Sequence, residues 1–223
     1  MILRPYQEQM VSKAVAALKK HGDTLAVAPT GAGKTVLLSA LAGRVGGKQL
    51  ILQHRDELTF QNAKKYREVN PRVRVGMFNA DIKDWKGDAT FAMVQTLCRD
   101  RALSTIPKLD LLVIDEAHHA VAPSYRKVVD AVRDKNPDCR IFGVTATPAR
   151  GDGKGLRHIF SNCCDQLSLH SLIAMGFLVR PRTFVCTLEG TDDRLASLRK
   201  TASGEFDMNE AEAVLDMEVP NAA

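Results

Sequence analysis

Ala28-Pro29-Thr30-Gly31-Ala32-Gly33-Lys34-Thr35 decides how the rest of this chain is read. A short apolar run, Leu25-Ala26-Val27, leads into it, and Val36-Leu37-Leu38-Ser39-Ala40-Leu41-Ala42 carries on from it as a helical pattern. Strand, glycine loop and helix in that order make a cradle for phosphate groups. Gly31 and Gly33 permit the tight turn that aims successive backbone N–H groups at one point. The first turn of the helix adds its positive dipole end. Lys34 brings a point charge for the outer phosphates of a nucleotide, and Thr35 a hydroxyl for Mg²⁺. Pro29, Thr30 and Ala32 complete the loop. The general pattern opens with Gly, where this chain has Ala28. An ordinary strand-to-helix turn can hold Gly, Lys and Thr by chance, so a second signal is needed.

Leu111-Leu112-Val113-Ile114-Asp115-Glu116-Ala117-His118 supplies it. The apolar run reads as a buried parallel strand. It delivers two carboxylates at its C-terminal end, where open α/β sheets bind ligands. Asp115 is suited to holding Mg²⁺ through water, and Glu116 to polarising the water that attacks a terminal phosphate. Alone, the pair could be a charged loop after a strand.

The rest of the 223 residues alternates between short apolar strands and helical patterns. A helix opens at Pro5, with Met10, Val11, Ala14, Val15 and Leu18 on one face, and Gly22 stops it. Strands are expected at 49–54, 73–78, 90–94 and 140–144, and helices at 55–69 and from Pro123 to about Asn136. Trp85 is expected to pack on the rim of a polar loop at 81–88. The expected fold is therefore α/β, a mostly parallel sheet with helices on both faces. Residues 1–150 form the nucleotide-binding lobe, and 151–186 its remainder, with a helix at 167–175 and a strand at 180–187. Residues 187–223 form an acidic tail with weak helical patterns at 191–200 and 209–217.

Composition narrows the classes. At 45% apolar the chain can build one sizeable core, and no run is long enough to span a membrane. Five cysteines without a CxxC pair fit a reduced, cytoplasmic or nucleoid-associated setting, and Cys163-Cys164 is expected to be buried rather than to bind metal. Net charge is +5, but residues 1–186 carry +11 and the tail −6. A basic body fits a polyanionic partner in addition to a nucleotide, although solvated surface charge would look the same.

Taken together, Arg4-Pro5-Tyr6-Gln7, the loop at 28–35, Asp115-Glu116-Ala117-His118 and Thr145-Ala146-Thr147 resemble superfamily 2 helicases of the DEAH-box type. The likeness is strongest to the branch holding XPB, RadD and restriction-enzyme translocase subunits, and it extends through 153–182. Ala at position 28 is ordinary in that family. The resemblance implies a RecA-like fold, ATP and Mg²⁺ as cofactors, and nucleic acid as partner, with DNA favoured over RNA. It implies that Arg4 and Gln7 contact adenine, and that His118 couples the nucleotide to Thr145 and Thr147. It also implies strand contacts by His54, Arg55 and Leu58 and by Gln95 and Thr96. His119 matches no known role and is read as structural.

The same resemblance implies a second RecA-like lobe that closes over ATP and brings arginine fingers. Nothing after Pro148 reads as one. Such a finger supplies roughly 10³–10⁵ in rate, so this chain alone, expected to be a monomer, should turn ATP over very slowly. The competing reading is a non-catalytic module that binds nucleic acid or a protein partner and keeps the nucleotide site as a switch. A nucleotide kinase lacks its lid and acceptor signature, and the acids and lysine of a nuclease are missing around Pro137-Asp138.

Overall fold

A computed structural model describes residues 2–54, 56–147 and 156–182, with 56–58 by backbone alone. The chain divides into two compact units, Met1–Val179 and Arg180–Ala223. The first carries all the regular structure described below, and only 180–182 of the second are described.

Seven parallel strands form one sheet. They are β1 (Asp23–Val27), β2 (Gln49–Gln53), β3 (Val75–Phe78), β4 (Ala89–Met93), β5 (Leu111–Asp115), β6 (Arg140–Thr145) and β7 (Cys163–Gln166). Their spatial order is β3-β4-β2-β5-β6-β1-β7. Alternate residues of each inner strand feed two separate cores. Ala26, Ile51, Phe91 and Val113 pack under α1 (Pro5–His21), α2 (Lys34–Val45) and α3 (Asp56–Val69). Leu25, Val27, Leu50, Leu52, Leu112 and Ile114 face the other way, toward α4 (Val94–Leu97), a 3₁₀ turn at Ala117–Val121 and α6 (Pro123–Lys135). A short α5 (Asp100–Leu103) lies between α4 and β5 in sequence. Leu111, Leu112, Val113 and Ile114 are all completely buried. Each such side chain contributes roughly 1.5–3 kcal/mol relative to exposure, which is why strands covered on both faces read as continuous apolar runs.

The helices begin and end for local reasons. Pro5 occupies the first turn of α1, where its missing N–H costs nothing. Gly22 ends the helix in the left-handed conformation, φ 80°, its N–H bonded to the Leu18 carbonyl at 3.0 Å. In α3 the buried positions Thr59, Asn62, Ala63 and Tyr66 recur at helical spacing. Trp85 is half-buried against the Phe78 ring and the second core.

One expectation fails, the burial of Cys163-Cys164. The strand expected at 180–187 falls mainly outside the described residues, and its first three show no regular structure. The outermost strand beside β1 is formed by Cys163-Cys164-Asp165-Gln166. Here Cys163 is exposed and Cys164 half-buried, so neither is the plain core cysteine expected. An edge strand has one neighbour and little cover, so it needs no apolar run. Polar bonds hold this one in place. Lys13 of α1 pairs with Asp165 at 2.9 Å, and Asn162 accepts from Thr24 Oγ1 at 2.6 Å and donates to the Asp23 carbonyl at 2.8 Å. After β7 the chain runs through α7 (Leu169–Ala174) and turns at Gly176. The helical patterns at 191–200 and 209–217 lie outside the described residues.

Candidate nucleotide site

The loop between β1 and α2 stands at the C-terminal end of the sheet. Its Ala28 N–H donates to the Thr145 carbonyl at 2.9 Å, which ties the loop to β6. Gly33 caps α2 with φ 78°. A Cβ there would lie 2.8 Å from the Gln7 amide nitrogen, so both backbone angle and space demand glycine. Helix α1 braces the loop from behind. Tyr6 OH and Gln7 Nε2 both donate to the Ala32 carbonyl, at 3.0 and 3.1 Å, and Gln7 Oε1 accepts from the Arg4 N–H at 3.0 Å. Gln7 is thus 95% shielded with both ends of its amide engaged. The Arg4 guanidinium lies over the Phe177 ring at 5.3 Å, and Phe177 meets Tyr6 edge to face at 4.9 Å.

Residues eighty positions apart in sequence meet in front of this loop. Lys34 Nζ is 3.2 Å from Glu116 Oε1, and His118 Nδ1 is 3.4 Å from Glu116 Oε2. His118 Nδ1 also lies 2.9 Å from Thr145 Oγ1, which accepts from the Thr147 N–H at 3.2 Å. Glu116 itself has φ 48°, and among the described residues no other non-glycine has a positive φ. Backbone strain of this kind concentrates at sites where a side chain must be aimed. Here the left-handed turn lets one carboxylate face both the lysine and the histidine.

Asp115 is held differently. Its Oδ1 accepts from the Glu116 N–H at 3.0 Å, and its Oδ2 accepts from Asn62 Nδ2 at 3.3 Å. Asn62 also donates to Gln53 Oε1 at 2.9 Å and accepts from Thr35 Oγ1 at 3.0 Å. Burial, aided by the neighbouring Glu116 charge, pushes the Asp115 carboxyl up from 3.8 to about 6. A buried carboxylate, with a hydroxyl linked to it through one amide, fits a hydrated divalent cation. Among the described residues no cluster of three or more His, Cys, Asp or Glu could enclose a metal. A Mg²⁺ carried in on a nucleotide needs no such cluster, because it takes most of its ligands from phosphate and water.

A cleft of about 460 Å³ opens between these groups, lined by Thr30, Gln53, His54, Asp115, Glu116, His118, His119, Ala146 and Thr147. Three rings cross it. His118 and His119 centroids are 4.1 Å apart, and His119 stacks on His54 at 4.3 Å with 19° between planes. His54 in turn offers its carbonyl to Gln95 Nε2 at 2.9 Å. Of the residues expected to touch a strand, His54 and Gln95 are therefore adjacent and exposed, with Thr96 next in sequence and partly exposed. Arg55 and the Leu58 side chain lie outside the described residues.

Sequence reasoning missed Asn62. The signal for Asn62 was an amide on the apolar stripe of α3, a position where a polar side chain must find partners. His119, read from the sequence as structural, packs against the rings of His118, His54 and Tyr125. Phe177 and Leu178 were also missed. Their N–H groups bond back to the Leu172 carbonyl at 2.9 and 3.2 Å, and the Leu178 side chain lies 3.0 Å from where a Cβ on Gly31 would be.

Fold and site define a RecA-like nucleotide-binding lobe of the helicase class. Residues 1–150 match the family model for the type III restriction enzyme res subunit, and the chain belongs to that family. It is 33% identical over 172 residues to the putative ATP-dependent helicase IRC3 of Saccharomyces cerevisiae, covering 70% of this chain and 25% of that protein. It is 33% identical over 192 residues to the putative mitochondrial ATP-dependent helicase irc3 of Schizosaccharomyces pombe, covering 81% of this chain and 32% of that protein. Among solved structures, the type ISP restriction-modification enzyme LlaGI, in complex with a DNA substrate mimic, superposes with TM-score 0.63 at 16% identity, over 79% of this chain and 21% of that one. The Hef helicase domain of Pyrococcus furiosus superposes with TM-score 0.55 at 26% identity, over 66% of this chain and 33% of that one. The chain is a superfamily 2 helicase RecA-like lobe, and it spans about a quarter to a third of the length of the two IRC3 relatives. Among the described residues no helix is long and apolar enough to cross a membrane.

Proposed function

We propose that this chain is the ATP-binding motor lobe of a DNA-dependent ATPase that moves along or opens nucleic acid, completed by a second RecA-like lobe. The observation that carries the reading is the meeting of Lys34, Thr35, Asp115 and Glu116 in front of one glycine loop, joined through His118 to Thr145. DNA is favoured because of the relatives' likeness and the basic body of the chain.

A bound Mg²⁺ would neutralise charge on the phosphates. Thr35 and Asp115 would hold the ion, directly or through water. The chain's other residues do the rest. Lys34 leaves Glu116 for the phosphates, because a phosphate carries more charge than one carboxylate. That exchange frees Glu116 Oε1 to accept a proton from the attacking water. His118 keeps the other oxygen aimed and reports its position to Thr145 and Thr147. Backbone N–H groups of 31–35 receive the developing negative charge. Arg4 and Phe177 bracket the entry on the α1 side, where the adenine is expected to lie. His54, Gln95 and Thr96, with Arg55 and Leu58, take the strand.

The test joins this lobe to a second one and measures ATP turnover with and without oligonucleotides. Single-stranded or duplex DNA is expected to raise the rate, and Lys34→Ala to abolish the rise by weakening nucleotide binding about 10- to 100-fold. Arg55→Ala should weaken strand binding and leave nucleotide affinity unchanged. A rate indifferent to both DNA and RNA would overturn the proposal.

A further inference from the structure

A second hollow lies away from the cleft, at the β3–β4 edge of the sheet. It has a volume of about 540 Å³ and is lined by Phe78 and Trp85, by the cationic Lys83, Arg99 and Arg101, and by Thr96 and Thr105 among others. We propose that this groove receives an unpaired base of single-stranded nucleic acid, stacked against Trp85, with its phosphates at Arg99 and Arg101. The inference rests on the reading of the chain as a nucleic-acid motor lobe, and extends its contact surface beyond His54, Gln95 and Thr96.

The groove has the two components that sequence-tolerant strand binding requires, a π face and a positive rim. The Trp85 and Phe78 ring centroids are 4.9 Å apart at 38°, so Phe78 supports the indole from beneath while being almost fully buried itself. The indole N–H donates to Thr105 Oγ1 at 3.1 Å. Its polar edge is satisfied, and what it offers to a ligand is the ring. Lys83 is not the cation that matters. Its ammonium lies 4.9 Å over Phe78 and bonds to the Asn79 and Ala80 carbonyls. Arg99 and Arg101 are different. Both are exposed, and neither side chain has a hydrogen-bond or ion-pair partner among the described residues. Asp100, the acid between them, lies 3.6 Å from Lys127, and no acid is among the groove's lining residues.

An apolar floor alone would suit a peptide. Two unpartnered guanidinium groups on the rim favour a polyanion, and the aromatic floor favours one that carries flat rings. Continuity decides between isolated nucleotide and strand. Thr96 lines the groove, and Gln95 beside it is bonded to the His54 carbonyl at the mouth of the nucleotide cleft. A strand that touches His54, Gln95 and Thr96 therefore has the groove next on its path.

Trp85 is the single tryptophan of the chain, so its emission reports on this groove alone. The experiment titrates the protein with a dye-labelled oligothymidylate at low salt, reading dye anisotropy and Trp85 emission together. Both signals are expected to change with one midpoint. Trp85→Phe keeps the affinity, and Trp85→Ala lowers it about 5- to 100-fold. Arg99→Ser with Arg101→Ser, at two exposed positions, reduces the slope of log affinity against log salt by about two. If anisotropy reports binding while Trp85 emission stays flat and the double variant keeps the wild-type slope, the groove proposal is overturned and the motor-lobe reading stands. If neither oligothymidylate nor a mixed-sequence strand changes the anisotropy at low salt, strand binding itself is refuted and the groove with it. If polyglutamate moves Trp85 emission as well as the oligonucleotide does, the groove is a docking site for an acidic protein, and the proposal fails on that ground.

Discussion

The nucleotide cleft and the β3–β4 groove both sit at strand ends and both carry positive charge, yet their charges are in opposite states. In the cleft every chemically important group is held by another. Lys34 is on Glu116, Thr35 and Asp115 share Asn62, and His118 is on Thr145. In the groove Arg99 and Arg101 have no partner among the described residues. A ligand entering the cleft must exchange existing bonds, so its arrival necessarily moves side chains. A ligand in the groove only adds bonds. The first arrangement suits a site whose occupancy has to be signalled, the second a surface that grips.

Three measurements would break or sharpen that contrast. The largest effect is expected from Glu116→Gln in the two-lobed protein. Turnover should fall about 10²- to 10⁴-fold, the range for losing a general base. Nucleotide affinity should hold or rise, because Lys34 no longer has a carboxylate to leave. Single-turnover hydrolysis and titration with a fluorescent ATP analogue would read the two separately, and a parallel loss of affinity would show that the pair is not exchanged on binding.

The next effect is on stability. Asp115 titrates near 6 in the fold against an ordinary 3.8, because it is buried beside Glu116. Between those values the unfolded chain gives up its proton and the folded one keeps it, so this residue's contribution to stability is present below about pH 4 and lost as pH rises through 6. Asp115→Asn cannot incur that loss. Without nucleotide or Mg²⁺, the variant should be more stable than the parent by about 1–3 kcal/mol at pH 7 and by much less at pH 4. Thermal melts at the two pH values would show it, and a variant equally or less stable at pH 7 would mean that Asn62 and the Glu116 N–H already compensate the charge.

The smallest effect concerns the ring stack. His119→Leu keeps the volume near Tyr125 but removes the plane between His118 and His54. Stimulation of ATP turnover by DNA should drop a few-fold, within the roughly 0.5–2 kcal/mol that coupling residues carry. Basal turnover should not change. Equal losses in both would make His119 a packing residue only.

Much of this is legible in the sequence. The inner strands announce themselves because both faces are covered, as Leu111 to Ile114 illustrate, and the glycine loop because few other sequences make that turn. What stayed hidden was set by neighbours rather than by the segment itself. Strand β7 carries no apolar run, since its place is fixed by Lys13, Asn162 and the open edge of β1. The four-residue helices α4 and α5 are too short to show a period. Asn62 gained its role from Thr35, Gln53 and Asp115, which come from three other elements. The family resemblance implies that Gln7 contacts adenine, and in the fold its amide is bonded to the Arg4 N–H and the Ala32 carbonyl.

The strand order carries a lesson about biosynthesis. Strand β1 delivers the phosphate loop, but its partners come late. Asp23 pairs with Ile141, and Leu25 with Cys163. A ribosome adds roughly 5–20 residues each second, so the emerging chain must wait several seconds with this apolar stretch unpartnered. This stretch, made well before its partners, is thus among the last to settle, and nascent chains halted before residue 140 should capture chaperones rather than ATP.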